Sequence, residues 1–241
     1  MKAVAVVAAL LALAASTAAA DARTACRGDA VRGTIGGRAA CLREASPCVQ
    51  RFERSYRRYD LTCAAGTLEA RWSALRRPLF VPRLAAGEPC PVSPADPRTL
   101  AELVAWNGHV PAWGAGPAYP VLPELDGGPL VAFELPPPPG FGPEWGVAKT
   151  LWFTARSYRG RVLVRGAQLD GPNDVRFEDG RPGFTADKDL HPASELRLAD
   201  DAGGHPATTR LRAPGCYAYQ LDGWRFSRLL VFRAVAHPPS P

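Results

Sequence analysis

The stretch APGCYAYQLDGWRFSRLLVF, residues 213 to 232, decides how the rest of the chain is read. It alternates aromatic or aliphatic residues with small or polar ones, and it is punctuated by glycine, as two short strands would be. Working outward, the same texture recurs in GPLVAFEL (128–135), KTLWFTARSY (149–158), RVLVRGAQL (161–169), NDVRFEDG (173–180), SELRLADD (194–201), TTRLR (208–212) and RFSRLLVFRAV (225–235). Each run is rich in Val, Leu, Phe, Tyr or Trp and bounded by Gly, Pro, Asn or Asp. About seven such strands with frequent turn signals predict an antiparallel β-sandwich. One segment, RTLAELVAW (98–106), reads as a single helix.

The same 213–232 stretch resembles the last two strands of an immunoglobulin-like domain. Gly215 and Tyr217 match the G-x-Y step at which a tyrosine hydroxyl folds back onto the preceding corner. Tyr219 stands where such domains often place their second cysteine, so the resemblance implies that the usual bridge between sheets is missing. The fold class expected is mainly β: an antiparallel immunoglobulin-like β-sandwich preceded by a small disulfide-linked α+β module.

That module is read from CLREASPCVQRFERSYRRYDLTC, residues 41 to 63. Ser46 can cap a helix and Pro47 suits its first turn. At helical spacing Cys48, Phe52, Tyr56 and Tyr59 share one stripe, while Arg51, Arg54 and Arg58 share another. Upstream, VRGTIGGRAACL predicts a hairpin turning at Gly36 and Gly37; downstream, LTCAAGTLEARW predicts further extended chain. So small a unit needs covalent support. A long helix would hold Cys48 and Cys63 some 15 Å apart, too far to bond. The favoured pairs are Cys26 with Cys48 and Cys41 with Cys63, which leaves Cys90 with Cys216.

The first 20 residues, with Lys2, an apolar run and Ala18 and Ala20, follow the plan of a secretory signal. Cys26 lies well past the apolar run, so a lipid anchor is not expected, and no later run approaches the length of a membrane span. Six cysteines with no C-x-x-C pair predict disulfides formed outside the cytoplasm. The expected organisation is a signal peptide (1–20), a basic disulfide-stabilised module (21–77), a proline-rich connector (78–97) and the β-sandwich (98–237). Charge follows this division: residues 21 to 86 hold 13 Arg against 6 acids, and residues 87 to 241 hold 15 Arg plus Lys against 17 acids. Such asymmetry marks the N-terminal module as the part suited to an anion.

Both halves resemble exported proteins of actinobacterial type that join a short cysteine module to a C-terminal immunoglobulin-like domain with a GCYxxQxDG signature. The resemblance covers most of the mature chain; it implies export and fold and lends no catalytic residue. Asp60 departs from it, standing where a glycine would follow the tyrosine.

Chemistry is scarce. No serine sits in G-x-S-x-G. His109, His191, His205 and His237 are scattered, and three precede proline. Asp170, Asn173, Asp174, Glu178 and Asp179 crowd one segment but lack a calcium-loop spacing, and Asp-Gly pairs there suit turns. Trp106, Trp113 and Tyr119 lie among Gly and Pro, where rings could stack on a glycan. The expectation is an exported non-enzymatic protein, without metal or cofactor, that meets an anionic cell-wall polymer or glycan through Arg51, Arg54 and Arg58; nucleic acid is not expected. The alternatives are an envelope polysaccharide hydrolase with its site in the 106–145 loops, or a structural spacer.

Overall fold

The computed structural model describes residues 26–85, 87–96, 112–125, 128–179, 191–199 and 204–238. The signal segment and the 98–106 helix lie outside the described residues.

The N-terminal hairpin forms as its sequence requires. β1 (Val31–Ile35) and β2 (Arg38–Leu42) pair antiparallel with Ile35 opposite Arg38. Gly36 and Gly37 occupy the turn at φ of 56° and 81°, backbone that a side chain would strain. A 3-10 turn (Gln50–Phe52) leads into α1 (Glu53–Arg57), followed by β3 (Leu61–Ala64), β4 (Thr67–Ala70) and the short α2 (Trp72–Leu75). Leu42, Tyr56, Leu61, Cys63 and Leu68 form a small core, with Cys48, Phe52 and Tyr59 packed against it. The predicted aromatic stripe is therefore the buried face.

Two expectations about this module are corrected. The helix does not begin at Ser46 and Pro47. Backbone bonds to the β3–β4 hairpin hold that segment extended: Ala45 N–H and Cys48 N–H donate to the carbonyls of Leu68 and Gly66, and Leu68 N–H donates to Ser46 O. The helix starts only at Gln50, with no side-chain cap, and is too short to separate Cys48 from Cys63. Asp60 takes a left-handed φ of 61°, reverses the chain, and sends β3 back along the helix. The bridges are consequently Cys26–Cys41 and Cys48–Cys63, with Cα atoms 5.5 and 5.7 Å apart. Cys90–Cys216 forms as expected.

The remaining strands are β5 (Ala118–Val121), β6 (Glu124–Leu125), β7 (Gly128–Glu134), β8 (Gly146–Thr154), β9 (Val162–Gln168), β10 (Arg176–Asp179), β11 (Leu196–Leu198), β12 (Gly204–Leu211), β13 (Gly215–Gly223) and β14 (Phe226–His237). They confirm a mainly β protein, but the two facing sheets of an immunoglobulin-like sandwich are replaced by one barrel-like sheet. Its order is β10-β12-β8-β7-β14-β13-β9-β11, with β5 on β8 and β6 on β7; the β7–β14 pair is parallel. The path all but closes on itself. Beyond β9, Gln168 N–H donates to Asn173 O and Val175 N–H to Gly166 O, so the chain entering β10 hydrogen-bonds back to β9. Gly166 permits that approach, since a Cβ there would lie 2.9 Å from the Val175 side chain.

Inside the barrel, Trp152, Phe177, Tyr217, Tyr219 and Phe232 are almost fully buried. Tyr219 contacts Phe232 at 4.4 Å between centroids and Trp152 edge-on at 5.1 Å. The Tyr217 hydroxyl donates to Ala213 O at 2.7 Å, so the predicted corner exists although the sandwich does not. The outer face of β13 is buried as well, because the connector lies along it as a strap. Gln220 accepts from Phe80 N–H and donates to Pro78 O; Leu84 N–H donates to Leu169 O; Ser93 N–H donates to Val231 O. Beneath the strap, the fully buried Asp222 carboxylate accepts from Arg165, Gln220 and Ser227. The Asp222 carboxylate thereby has the partners a buried charge needs.

Candidate functional site

The arginine row predicted on the module is present and faces solvent. Arg51, Arg54 and Arg58 are all exposed. They are not equivalent. Arg51 lies 4.9 Å from the Phe52 ring centroid, Arg58 donates to the Thr34 carbonyl at 3.3 Å, and Arg54 has no acidic partner among the described residues. Glu53, its neighbour in sequence, is engaged elsewhere. It accepts from Cys63 N–H, Arg57 and Thr62, contacts that hold its carboxyl below the usual range.

The module rests on the end of the barrel through charge and aromatic contacts that sequence reading did not foresee. Trp224, in the β13–β14 turn, packs against the module core and donates its indole N–H to Tyr59 O at 3.1 Å. The guanidiniums of Arg161 and Arg197 both lie against the Trp72 ring, at 5.0 and 5.5 Å. Arg161 also pairs with Glu69, and Arg76 makes a two-pronged pair with Glu195 at 2.7 and 2.8 Å. Hydrogen bonding from Arg76 drives the Glu195 pKa down to about 2. Glu44 behaves oppositely. Its burial pushes the pKa up, against the N–H groups of Arg161 and Ala70 that bond the carboxylate.

A pH prediction follows from the signs of these shifts. Stabilisation from Glu195 is complete above about pH 4.5, the unfolded value, and is lost as pH falls from there toward 2. Glu44 opposes it: the cost of its buried charge is relieved as pH falls through its raised folded value. Comparing wild type with Glu195→Gln isolates the first term. The urea midpoint gap between them should be widest above pH 5 and close toward pH 2.5. The gap corresponds to about 1 kcal/mol or less, because Arg76 and Arg197 are half exposed and solvent screens both pairs. A gap constant with pH would contradict the assignment.

The rings proposed for glycan stacking are placed elsewhere. Trp113 is 2 % exposed within the barrel core, donating its N–H to Leu122 O; Tyr119 is 5 % exposed and its hydroxyl donates to Asp96. Neither ring is open to a sugar, and Trp106 lies outside the described residues. Turn-rich surroundings placed these rings on a loop, but β5 pairing with β8 draws Tyr119 inward. Asp170 accepts from Gln168 and from Cys216 N–H, and Gln168 accepts from Asn173, so this segment is a hydrogen-bonded turn. Among the described residues no group of three or more acids, His or Cys has metal-binding geometry.

Two places bear on chemistry. His205 Nε2 lies 3.3 Å from Asp179 Oδ1, an arrangement found in hydrolytic sites. The imidazole is only 4 % exposed, it sits on β12 rather than in the 106–145 loops, and all six cysteines are bonded in pairs, leaving no thiol nucleophile. The second place is an open groove at the β10 and β12 end of the barrel. One part, about 420 Å³, is bordered by Glu178, Asp179, His191, Glu195 and Arg197. The other, about 520 Å³, is bordered by Glu144, Trp145, Arg176, His191 and Arg212. Arg212 stacks on the Trp145 indole at 4.2 Å and Arg176 lies over the same ring at 5.9 Å. Sequence reading missed these three residues, which come from segments far apart in the chain; the one local signal was an aromatic pair, Phe141 and Trp145, in a Gly-Pro loop.

No protein-family model matches the chain, and no curated protein matches it in sequence. Among solved structures, a crystal structure described as "a Putative Lipoprotein from Bacillus anthracis" aligns with a TM-score of 0.38 and 8 % identity, over 62 % of this chain and 88 % of that one. A likeness of that extent carries no argument about this protein. No helix among the described residues is long and apolar enough to cross a membrane.

Proposed function

We propose that this is an exported, non-enzymatic protein of the cell envelope whose N-terminal module contacts an anionic wall polymer or glycan through Arg51, Arg54 and Arg58. Three disulfides support an extracytoplasmic site of folding. The observation that carries the binding reading is the exposed guanidinium row itself, mounted on a short helix that Cys48–Cys63 and the Glu53 contacts hold against β3. A backbone held in place presents the three guanidiniums together to phosphate or carboxylate groups.

The test is co-sedimentation of the mature protein with purified cell-wall material across a salt series. Wild type is expected to bind at low salt and to release as salt rises. The Arg51, Arg54 and Arg58 triple alanine variant should lose about tenfold or more in affinity, because three guanidinium contacts vanish together. Retention that ignores both salt and the triple substitution would refute the proposal.

A further inference from the structure

The groove bordered by Trp145, Arg176 and Arg212 has the makings of a second and separate binding site. Arg176 is on β10, Arg212 follows β12, and Trp145 precedes β8. Pairing of β10 with β12 sets Arg176 opposite Arg210, which brings Arg212 to the same end of the barrel. Arg210 is fully buried and pins the Trp145 loop from below: it donates to Trp145 O at 2.8 Å and Gly146 O at 3.2 Å, pairs with Glu178, and lies under Phe141. The indole is thus fixed, and it fixes the two guanidiniums that stack on it.

We propose that this groove binds a small organic anion, the carboxylate or phosphate of the ligand lying between Arg176 and Arg212. Both arginines are held by stacking rather than by strong ion pairs. Their carboxylate partners, Glu144 on Arg212 and Asp174 on Arg176, are more than half exposed, and exposed pairs of this kind contribute little and exchange readily. On the solvent side the Arg176 guanidinium pairs only with Asp174 among the described residues. Guanidinium forks match the geometry of carboxylate and phosphate oxygens, and stacking leaves their N–H edges directed outward. At about 520 Å³ the groove has the size of small-ligand sites and could seat a monosaccharide acid or phosphate together with its charged group. His191, shared with the neighbouring 420 Å³ part of the groove, adds a polar group to its lining.

Calorimetric titration of the mature protein with glucose 6-phosphate, glucuronate and uncharged glucose tests this and distinguishes the two anion sources. At least one charged sugar should bind at least tenfold more tightly than glucose. Arg212→Gln, and separately Arg176→Gln, should weaken that binding tenfold or more. Glu144→Gln, which removes the competing carboxylate, should tighten it about threefold. Arg54→Gln, on the module, should leave it unchanged, so failure here is distinguishable from failure of the wall-binding proposal. The inference is overturned if neither charged sugar binds, if glucose binds as well as they do, or if both arginine variants retain a native circular dichroism spectrum and full affinity.

Discussion

Replacing Cys90 and Cys216 together by alanine is expected to remove about 5 kcal/mol of unfolding free energy, the largest effect of any disulfide in this protein. The bridge spans a sequence separation of 126 residues, against 15 for each of the other two. In the chain-entropy account stabilisation grows with the logarithm of the loop closed, which gives about 3 kcal/mol for a 15-residue loop and nearly 5 for one of this length. The native state also loses a fastening. Cys90 anchors the strap where it leaves the outer face of β13, and Leu169, Cys216, Ala218 and Val231 beneath it would be less well covered. Because folded domains are stable by only about 5 to 15 kcal/mol, the variant should be close to its limit at 37 °C. Urea unfolding at pH 7 provides the check, with the Cys26 and Cys41 double alanine variant as the short-loop comparison. A loss no larger than that of the short-loop variant would show that the strap is held by Gln220 and Ser93 and that loop closure contributes little.

Most strand positions were legible because those strands carry their own periodicity, whereas β5 lies in a Gly- and Pro-rich stretch that reads as a loop. The Gly36-Gly37 turn and the Tyr217 corner were legible for a similar reason, since each depends on a few adjacent residues. What failed were features made by backbone pairing between distant segments. Closure of the sheet rests on the N–H groups of Gln168 and Val175 and the carbonyls of Asn173 and Gly166, none of which has a side-chain signature, so a barrel and a sandwich read alike. Ser46 and Pro47 offered a sound local helix start, and the β3–β4 hairpin outcompeted it with three backbone bonds to that segment. That error about helix length then produced the wrong disulfide pairing. The arginine row was visible as a helical stripe. The Trp145 groove was not, because Arg176 and Arg212 look in sequence like two more arginines in a chain that uses arginine for nearly all of its cations.

Arg210→Met should cost about 3 to 5 kcal/mol, whereas Arg210→Met combined with Glu178→Leu should return to within about 2 kcal/mol of wild type. Both side chains are fully buried, so the single substitution takes the Arg210 guanidinium away from a carboxylate in a low-dielectric site. Removing both charges exchanges the pair for apolar volume and avoids the desolvation penalty altogether. Recovery should stop short of wild type, because Trp145 O and Gly146 O also lose the guanidinium that donates to them, a deficit of about 1 kcal/mol each. Urea denaturation of the wild type, both single variants and the double variant closes the cycle, and additive losses would mean that the pair is not coupled. Stability and recognition should then separate. The double variant folds, but its 141–145 loop no longer has Arg210 beneath it, so Trp145 should hold Arg176 and Arg212 less firmly and the charged sugars should bind more weakly to a protein whose unfolding free energy is nearly restored.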